Sequence, residues 1–138
     1  MMDRIKQLDQ KLSIIIPTRN DRPCLLKLLT KLSELPIECL ELLIIDSSDS
    51  KQPLPDDLKS LFEKKPYEVK HIFSEASSPG ASRNEGVNFA QGDWFGFLDT
   101  KTIPNLLWVD SCKEIILNKN KVLNAVSYTH LRAHETFA

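Results

Sequence analysis

Two uninterrupted apolar runs, Ile14 to Ile16 and Leu42 to Ile45, each stop at polar residues, at Pro17 to Asn20 and at Asp46. Short runs without polar alternation are the pattern of strands buried on both faces, as in parallel sheets. The first strand is placed at Leu12 to Pro17. Asp21 is positioned to cap the helix that follows, with Pro23 tolerated in its first turn. Leu25, Leu28, Leu29 and Leu32 fall at i, i+3, i+4 and i+7, so this helix lays one apolar stripe on the sheet. Pro36 ends it, Leu40 to Ile45 form the second strand, and Ser47 to Asp56, rich in Ser, Asp and Pro, reads as a loop.

The same alternation continues downstream. Asp57 to Lys64 reads as a short helix and Tyr67 to Phe73 as a third strand with Val69 and Phe73 on one face. Ser78 and Pro79 supply an N-cap and a first-turn proline for a helix from Gly80 to Ala90. Gln91-Gly92 turns the chain into a fourth strand, Trp94 to Leu98, and Pro104 opens a last helix carrying Trp108, Cys112 and Ile115. Strands alternating with helices predict an α/β fold, a mostly parallel sheet flanked by helices. In such sheets the strand ends converge on a crevice outside the carboxyl edge. Pro17 to Asn20, Asp46 and Asp99 are therefore expected to meet there.

Composition narrows the function classes. A chain of 138 residues is at most one domain, and its 41% apolar and 27% charged residues are those of a globular protein. A net charge of −1 and the absence of any Lys/Arg run argue against a nucleic-acid partner. No apolar run approaches the ~20 residues that span a bilayer, and the first residues lack the apolar core of a signal peptide. A cytoplasmic location is expected, with peripheral membrane association of the parent protein left open. Cys24, Cys39 and Cys112 form no CxxC pair and are read as reduced, mostly buried thiols.

Four positions carry candidate chemistry. Asp46, directly after a buried strand, either accepts hydrogen bonds from a nucleoside or closes an Asx turn or cap; position alone divides these evenly. Gly80 to Asn84 open a helix whose free backbone N–H groups favour an anion, and Arg83 adds a permanent cation. The alternative for Arg83 is a surface pair with Glu75 or Glu85. Asp99, at the end of the fourth strand, suits a cation or a diphosphate neighbour, or caps the next turn. Lys101, taken alone, reads as a solvated loop lysine, and Trp94, Phe95 and Phe97 read as core. Neither GxGxxG nor GxxxxGKS occurs, which leaves no support for a dinucleotide fingerprint or a P-loop.

Ser-Ile-Ile-Ile-Pro-Thr-Arg-Asn (13–20), Leu-Ile-Ile-Asp-Ser-Ser (43–48), Gly-Ala-Ser-Arg-Asn-Glu-Gly (80–86) and Gly-Asp-Trp-Phe-Gly-Phe-Leu-Asp (92–99), in this order and spacing, resemble the family 2 glycosyltransferases of GT-A fold. The resemblance runs from about Lys11 to Trp108. It implies a nucleotide-sugar donor, a saccharide or other hydroxyl acceptor, and transfer with inversion. It also implies that the backbone of Pro17, Thr18 and Arg19, together with Asp46, holds the nucleoside, and that Arg83 helps hold the nucleotide. Asp99 matches the first acid of the family's Asp-x-Asp motif, beside the diphosphate and a divalent metal, magnesium or manganese. Two departures stand out. Asp46-Ser47-Ser48-Asp49 replaces the usual Asp-Asp-Gly-Ser, and Lys101 replaces the second acid of Asp-x-Asp. Coordination of a metal by an Asp pair is then lost, and Lys101 joins the candidates for binding phosphate.

Residues 126–136 fit neither period and resemble the translated transposase adapter of short-read sequencing libraries, residue for residue. Residues 126–138 are accordingly expected to be a non-native tail without core contacts, which also withdraws His130 and His134 from metal binding. Residues 1–125 are then the nucleotide-sugar-binding part of a longer transferase domain. The catalytic base and acceptor half are expected beyond them, and this fragment is expected to be inactive. Two rivals remain: a nucleotide-binding pseudo-enzyme or interaction module of the same fold, and a flavodoxin- or receiver-like domain using Asp46, which lacks the paired acid at the end of the first strand.

Overall fold

The computed structural model describes residues 12–117 and the backbone of 131–133. Strand β1 (Leu12–Thr18) leads into helix α1 (Arg22–Glu34), β2 (Glu41–Asp46) into α2 (Asp56–Phe62), β3 (Glu68–Phe73) into α3 (Pro79–Phe89), and β4 (Trp94–Phe97) into α4 (Leu106–Leu117). A short β5 (Leu131–Ala133) completes a sheet of order β3-β2-β1-β4-β5. The first four strands are parallel, with Thr18 opposite Asp46 and Asp46 opposite Phe73 at their carboxyl ends. From β1 the chain steps outward to β2 and β3, then returns to place β4 on the other side of β1. The strand order reverses between β1 and β4, where α/β sheets open a ligand crevice. Among the described residues no helix is long and apolar enough to cross a membrane.

The apolar runs are buried on both faces, as their lack of alternation requires. Ile14, Ile16, Leu42 and Ile44 join a large cluster with Leu25, Leu28, Leu29 and Leu32 of α1 and Val109, Cys112, Ile115 and Ile116 of α4. Ile15, Leu43, Ile45 and Phe95 face the other way, with Val87 of α3 packed against them. Here α3 presents Ser82 and Gly86 as its buried positions. A Cβ on Gly86 would stand 2.5 Å from Ile15 Cγ2, on a β-branched side chain with no exposure. In an exposed helix Gly→Ala stabilises by up to about 1 kcal/mol. Against Ile15 the sign should reverse, and chemical denaturation of Gly86→Ala should show a net loss of about 1–3 kcal/mol.

Glu41, only 1% exposed, lies inside the second apolar strand and organises the opposite end of the sheet. Its Oε2 accepts hydrogen bonds from Ser13 Oγ at 2.7 Å and from the Gln91 backbone N–H at 2.8 Å. Its Oε1 accepts from Lys70 Nζ at 2.9 Å, while Ser13 Oγ accepts from Gly92 N–H at 2.9 Å. One carboxylate thus ties β1, β2, β3 and the α3–β4 turn. Burial opposes its charge, but the bonds from Gln91, Lys70 and Ser13 prevail and hold its pKa below the ordinary 4.5. With a depressed folded pKa, its contribution is complete above the unfolded value and fades as pH falls through the folded one. Removing one partner of such a group leaves others unpaired, so Glu41→Ala should cost about 3 kcal/mol or more at pH 7. The gap between wild type and Glu41→Gln, followed by thermal melting, should narrow below about pH 4.5.

Three expectations need correction. Asp21 occupies the N-cap of α1 but makes no side-chain cap; its Oδ2 accepts from Thr100 Oγ1 at 3.0 Å instead. The last helix starts after Asn105, whose Oδ1 accepts from Trp108 N–H at 3.0 Å, rather than at Pro104. Phe73 shares a face with Val69 as expected; at the end of the edge strand β3 it is 40% exposed, its ring centroid 4.6 Å from that of His71. The tail was expected to make no contact, yet Leu131–Ala133 pairs antiparallel with β4, Gly96 opposite Leu131 and Trp94 opposite Ala133. An open strand edge offers backbone hydrogen bonds to any extended segment whatever its side chains. The rest of 126–138 lies outside the described residues. The three cysteines are not in disulfides, Cys39 and Cys112 buried and Cys24 half-buried; burial pushes the Cys112 thiol up to about 12.

Candidate functional site

At the strand reversal, the end of β1, the end of β4 and the first turn of α3 enclose a crevice of about 320 Å³. Small-molecule sites span about 300–1,000 Å³. Pro17, Thr18 and Arg19 line one side, Asp99, Thr100 and Lys101 the other, and Ser78, Pro79, Ser82 and Arg83 close the third. Six of the seven residues expected to bind nucleotide therefore line this one crevice. Asp46 lies next door, in a hollow of about 220 Å³ with Asn20, Arg22, Ser48 and Gln52, and Thr18 borders both. Thr18 is 7% exposed, and its buried Oγ1 has no hydrogen-bond partner among the described residues. An unpaired buried hydroxyl is costly, and this one lies between the two hollows.

Local chemistry shapes the loops. Asn20 has φ of 51°, the left-handed region that asparagine tolerates better than most residues. Its backbone N–H donates to Ser48 Oγ at 2.8 Å, its Oδ1 accepts from Asp49 N–H at 2.9 Å, and its Nδ2 donates to Asp49 Oδ2 at 3.2 Å. The loops after β1 and β2 are thereby clasped together, and Arg19 lies 3.9 Å from Asp49.

Asp46, 5% exposed, shows the turn-closing reading in full: Oδ1 accepts from Ser48 N–H at 2.9 Å. Its Oδ2 lies 2.9 Å from His71 Nε2. Burial works against its charge, but the Ser48 and His71 hydrogen bonds outweigh it and hold its pKa below the ordinary range. A carboxylate has about four acceptor positions, so both bonds leave capacity for a ligand in the hollow. His71 was absent from the sequence reading. Its only sequence signal was the period of two along β3, which puts it on the face of Val69 and Phe73.

Arg83 is exposed and its two expected partners are engaged elsewhere. Glu75 pairs with Lys51 at 3.1 Å, and Glu85 accepts from Ser74 Oγ at 2.6 Å. Ser78 caps α3 as expected, its Oγ accepting from Ala81 N–H at 3.1 Å. Asp99 closes its own turn, Oδ1 accepting from Lys101 N–H at 3.0 Å. That orders the strand end and leaves the Lys101 ammonium to the crevice wall. Asp21 also lines this wall, a residue the sequence reading had assigned to capping alone.

Residues 13–129 match the glycosyl transferase family 2 profile. The chain belongs to glycosyl transferase family 2. Solved structures agree on the fold. The S. aureus TarS 1-349 structure in complex with UDP aligns at a TM-score of 0.60 and 23% identity, covering 79% of this chain and 33% of that one. The mannosyltransferase PcManGT from Pyrobaculum calidifontis, in complex with GDP-Man and Mn2+, aligns at 0.60 and 19%, covering 76% and 32%. TarS 1-349 in complex with UDP-GlcNAc aligns at 0.55 and 24%, covering 83% and 31%. This chain thus spans about a third of those structures, and its architecture is the GT-A fold. No curated protein matches the chain significantly.

The metal implied by the family can be tested against this wall. Its carboxylates are Asp21 and Asp99, each keeping acceptor capacity beyond the one hydrogen bond it receives, and Arg19, Arg83 and Lys101 line the same crevice. Among the described residues no three His, Cys, Asp or Glu side chains group to hold a metal ion. Two carboxylates lined with three cations make a poor set for a divalent metal held by protein alone. Because Arg83 lacks an ion-pair partner among the described residues, Arg83→Ala should change stability by no more than about 0.5 kcal/mol in urea unfolding. A loss well beyond that would show Arg83 to be a structural pair.

Proposed function

We propose that the parent protein transfers a sugar from a nucleotide-sugar donor to an acceptor hydroxyl with inversion, and that residues 1–125 hold the donor. The observation carrying this reading is the crevice between β1 and β4, where Thr18, Arg83 and Lys101 converge at the start of α3 beside the Asp46 hollow. An acidic, hydrogen-bonding hollow next to a cationic crevice suits a nucleoside joined to a diphosphate. UDP and GDP-Man in the structures of similar fold are consistent with it.

In the proposed reaction an acceptor hydroxyl attacks the anomeric carbon from the side opposite the nucleotide. A general base takes the hydroxyl proton as the new glycosidic bond forms and the bond to the diphosphate breaks. Negative charge then grows on the departing phosphate oxygen. Arg83, Lys101 and the N–H groups of the first turn of α3 are placed to stabilise it. Asp46 and the backbone of Pro17 to Arg19 orient the nucleoside. No base is assigned within this chain, and we infer that it lacks turnover by itself.

The loss of the second acid of Asp-x-Asp favours one rival, nucleotide binding without transfer. Titrating this chain with UDP and GDP by calorimetry tests the donor site. Asp46→Ala should weaken the nucleotide that binds by about 1.5–3 kcal/mol, the range for hydrogen bonds to a charged group. Unchanged affinity in a folded variant would confine Asp46 to its turn. Transfer assays on the longer protein separate the transferase from the rival.

A further inference from the structure

The wall of the crevice is better built for an anion than for a metal. Its lining sets three cations, Arg19, Arg83 and Lys101, against two carboxylates, Asp21 and Asp99, which each accept a loop hydrogen bond; Arg19 also lies 3.9 Å from Asp49. Lys101 sits two residues after Asp99, where a metal site of this kind would need a second carboxylate. The Asp99 turn fixes the Lys101 backbone through its N–H at 3.0 Å and leaves the side chain unbound. The two acids that could have neutralised Arg83 are held by Lys51 and Ser74. The buried, unpartnered Thr18 hydroxyl at the same wall is a second, independent sign that a polar ligand belongs there.

Resting on the donor-site reading above, we propose that this chain binds the diphosphate of its nucleotide through Lys101 and Arg83 in place of a divalent metal. A diphosphate ionised on both phosphates needs positive charge at its bridging edge. A metal supplies it only when the protein offers enough oxygen ligands, and a lone carboxylate holds magnesium mainly through help from phosphates and water. An ammonium on a flexible stem and a planar guanidinium deliver it directly as charge-assisted hydrogen bonds.

The test titrates the 138-residue chain with UDP and with GDP, each in EDTA and in manganese chloride, for wild type, Lys101→Ala and Lys101→Asp. Wild type should bind one nucleotide with the same affinity in both conditions. Lys101→Ala should weaken that binding about tenfold or more in EDTA. Lys101→Asp, which rebuilds the acid pair, should bind weakly in EDTA and regain affinity with manganese. Lys101 is exposed, so matching melting curves should confirm that the variants fold. Wild-type affinity that collapses in EDTA and ignores Lys101→Ala would overturn the substitution and leave an ordinary metal-assisted donor site. Absence of binding by either nucleotide in both conditions would overturn the donor site itself, and the substitution with it.

Discussion

The register of the parallel strands decides where every site residue stands, and a buried charge anchors that register at the end far from the crevice. Glu41 lies opposite Ser13 on one side and Glu68 on the other, and its carboxylate is shared by Ser13, Lys70 and the Gln91 backbone. A slip of one residue would turn Glu41 toward the large apolar cluster and separate it from all of them. The same slip would move Asp46 away from Thr18 and His71 at the other end. An ionised group with its hydrogen bonds satisfied is intolerant of misalignment in a way that interchangeable Ile and Leu contacts are not.

The acids in and around the crevice each hold a loop or a neighbouring side chain. Asp46 and Asp99 each turn the chain by accepting an N–H two residues ahead, and Asp21 accepts from Thr100 across the gap. Glu75 and Glu85 satisfy Lys51 and Ser74. The lining sets Arg19, Arg83 and Lys101 against Asp21 and Asp99, beside a helix start that adds its own dipole. Asp99, which matches the first acid of the family's motif, thus also orders its own turn.

The two faces of the sheet are covered in different ways. One carries α1 and α4 with leucine, valine and isoleucine stripes, while α3 approaches the other through Ser82 and Gly86. Close approach of α3 keeps its first turn near the ends of β1 and β4, so the small residue at 86 has a consequence at the site three to seven positions earlier.

The sequence alone determined the α/β class, the four parallel strands, the helices between them and the place of the crevice. Apolar periodicity reports burial directly, and the chain direction sends every parallel strand's end to the same edge. Element ends were legible to within two residues, and Ser78 was a correct cap because its partner is three residues away. The sequence also supplied six residues of one wall, since a strand end or a helix start identifies each. It was silent on Glu41, on the Asp46–His71 pair and on the use of Asp21, whose partners lie 25 to 79 positions distant. It left Asp46, Asp99 and Arg83 between structural and functional readings as well. Those choices depend on which groups compete for each oxygen and each cation across strands. Only the folded sheet brings the competitors within hydrogen-bonding distance.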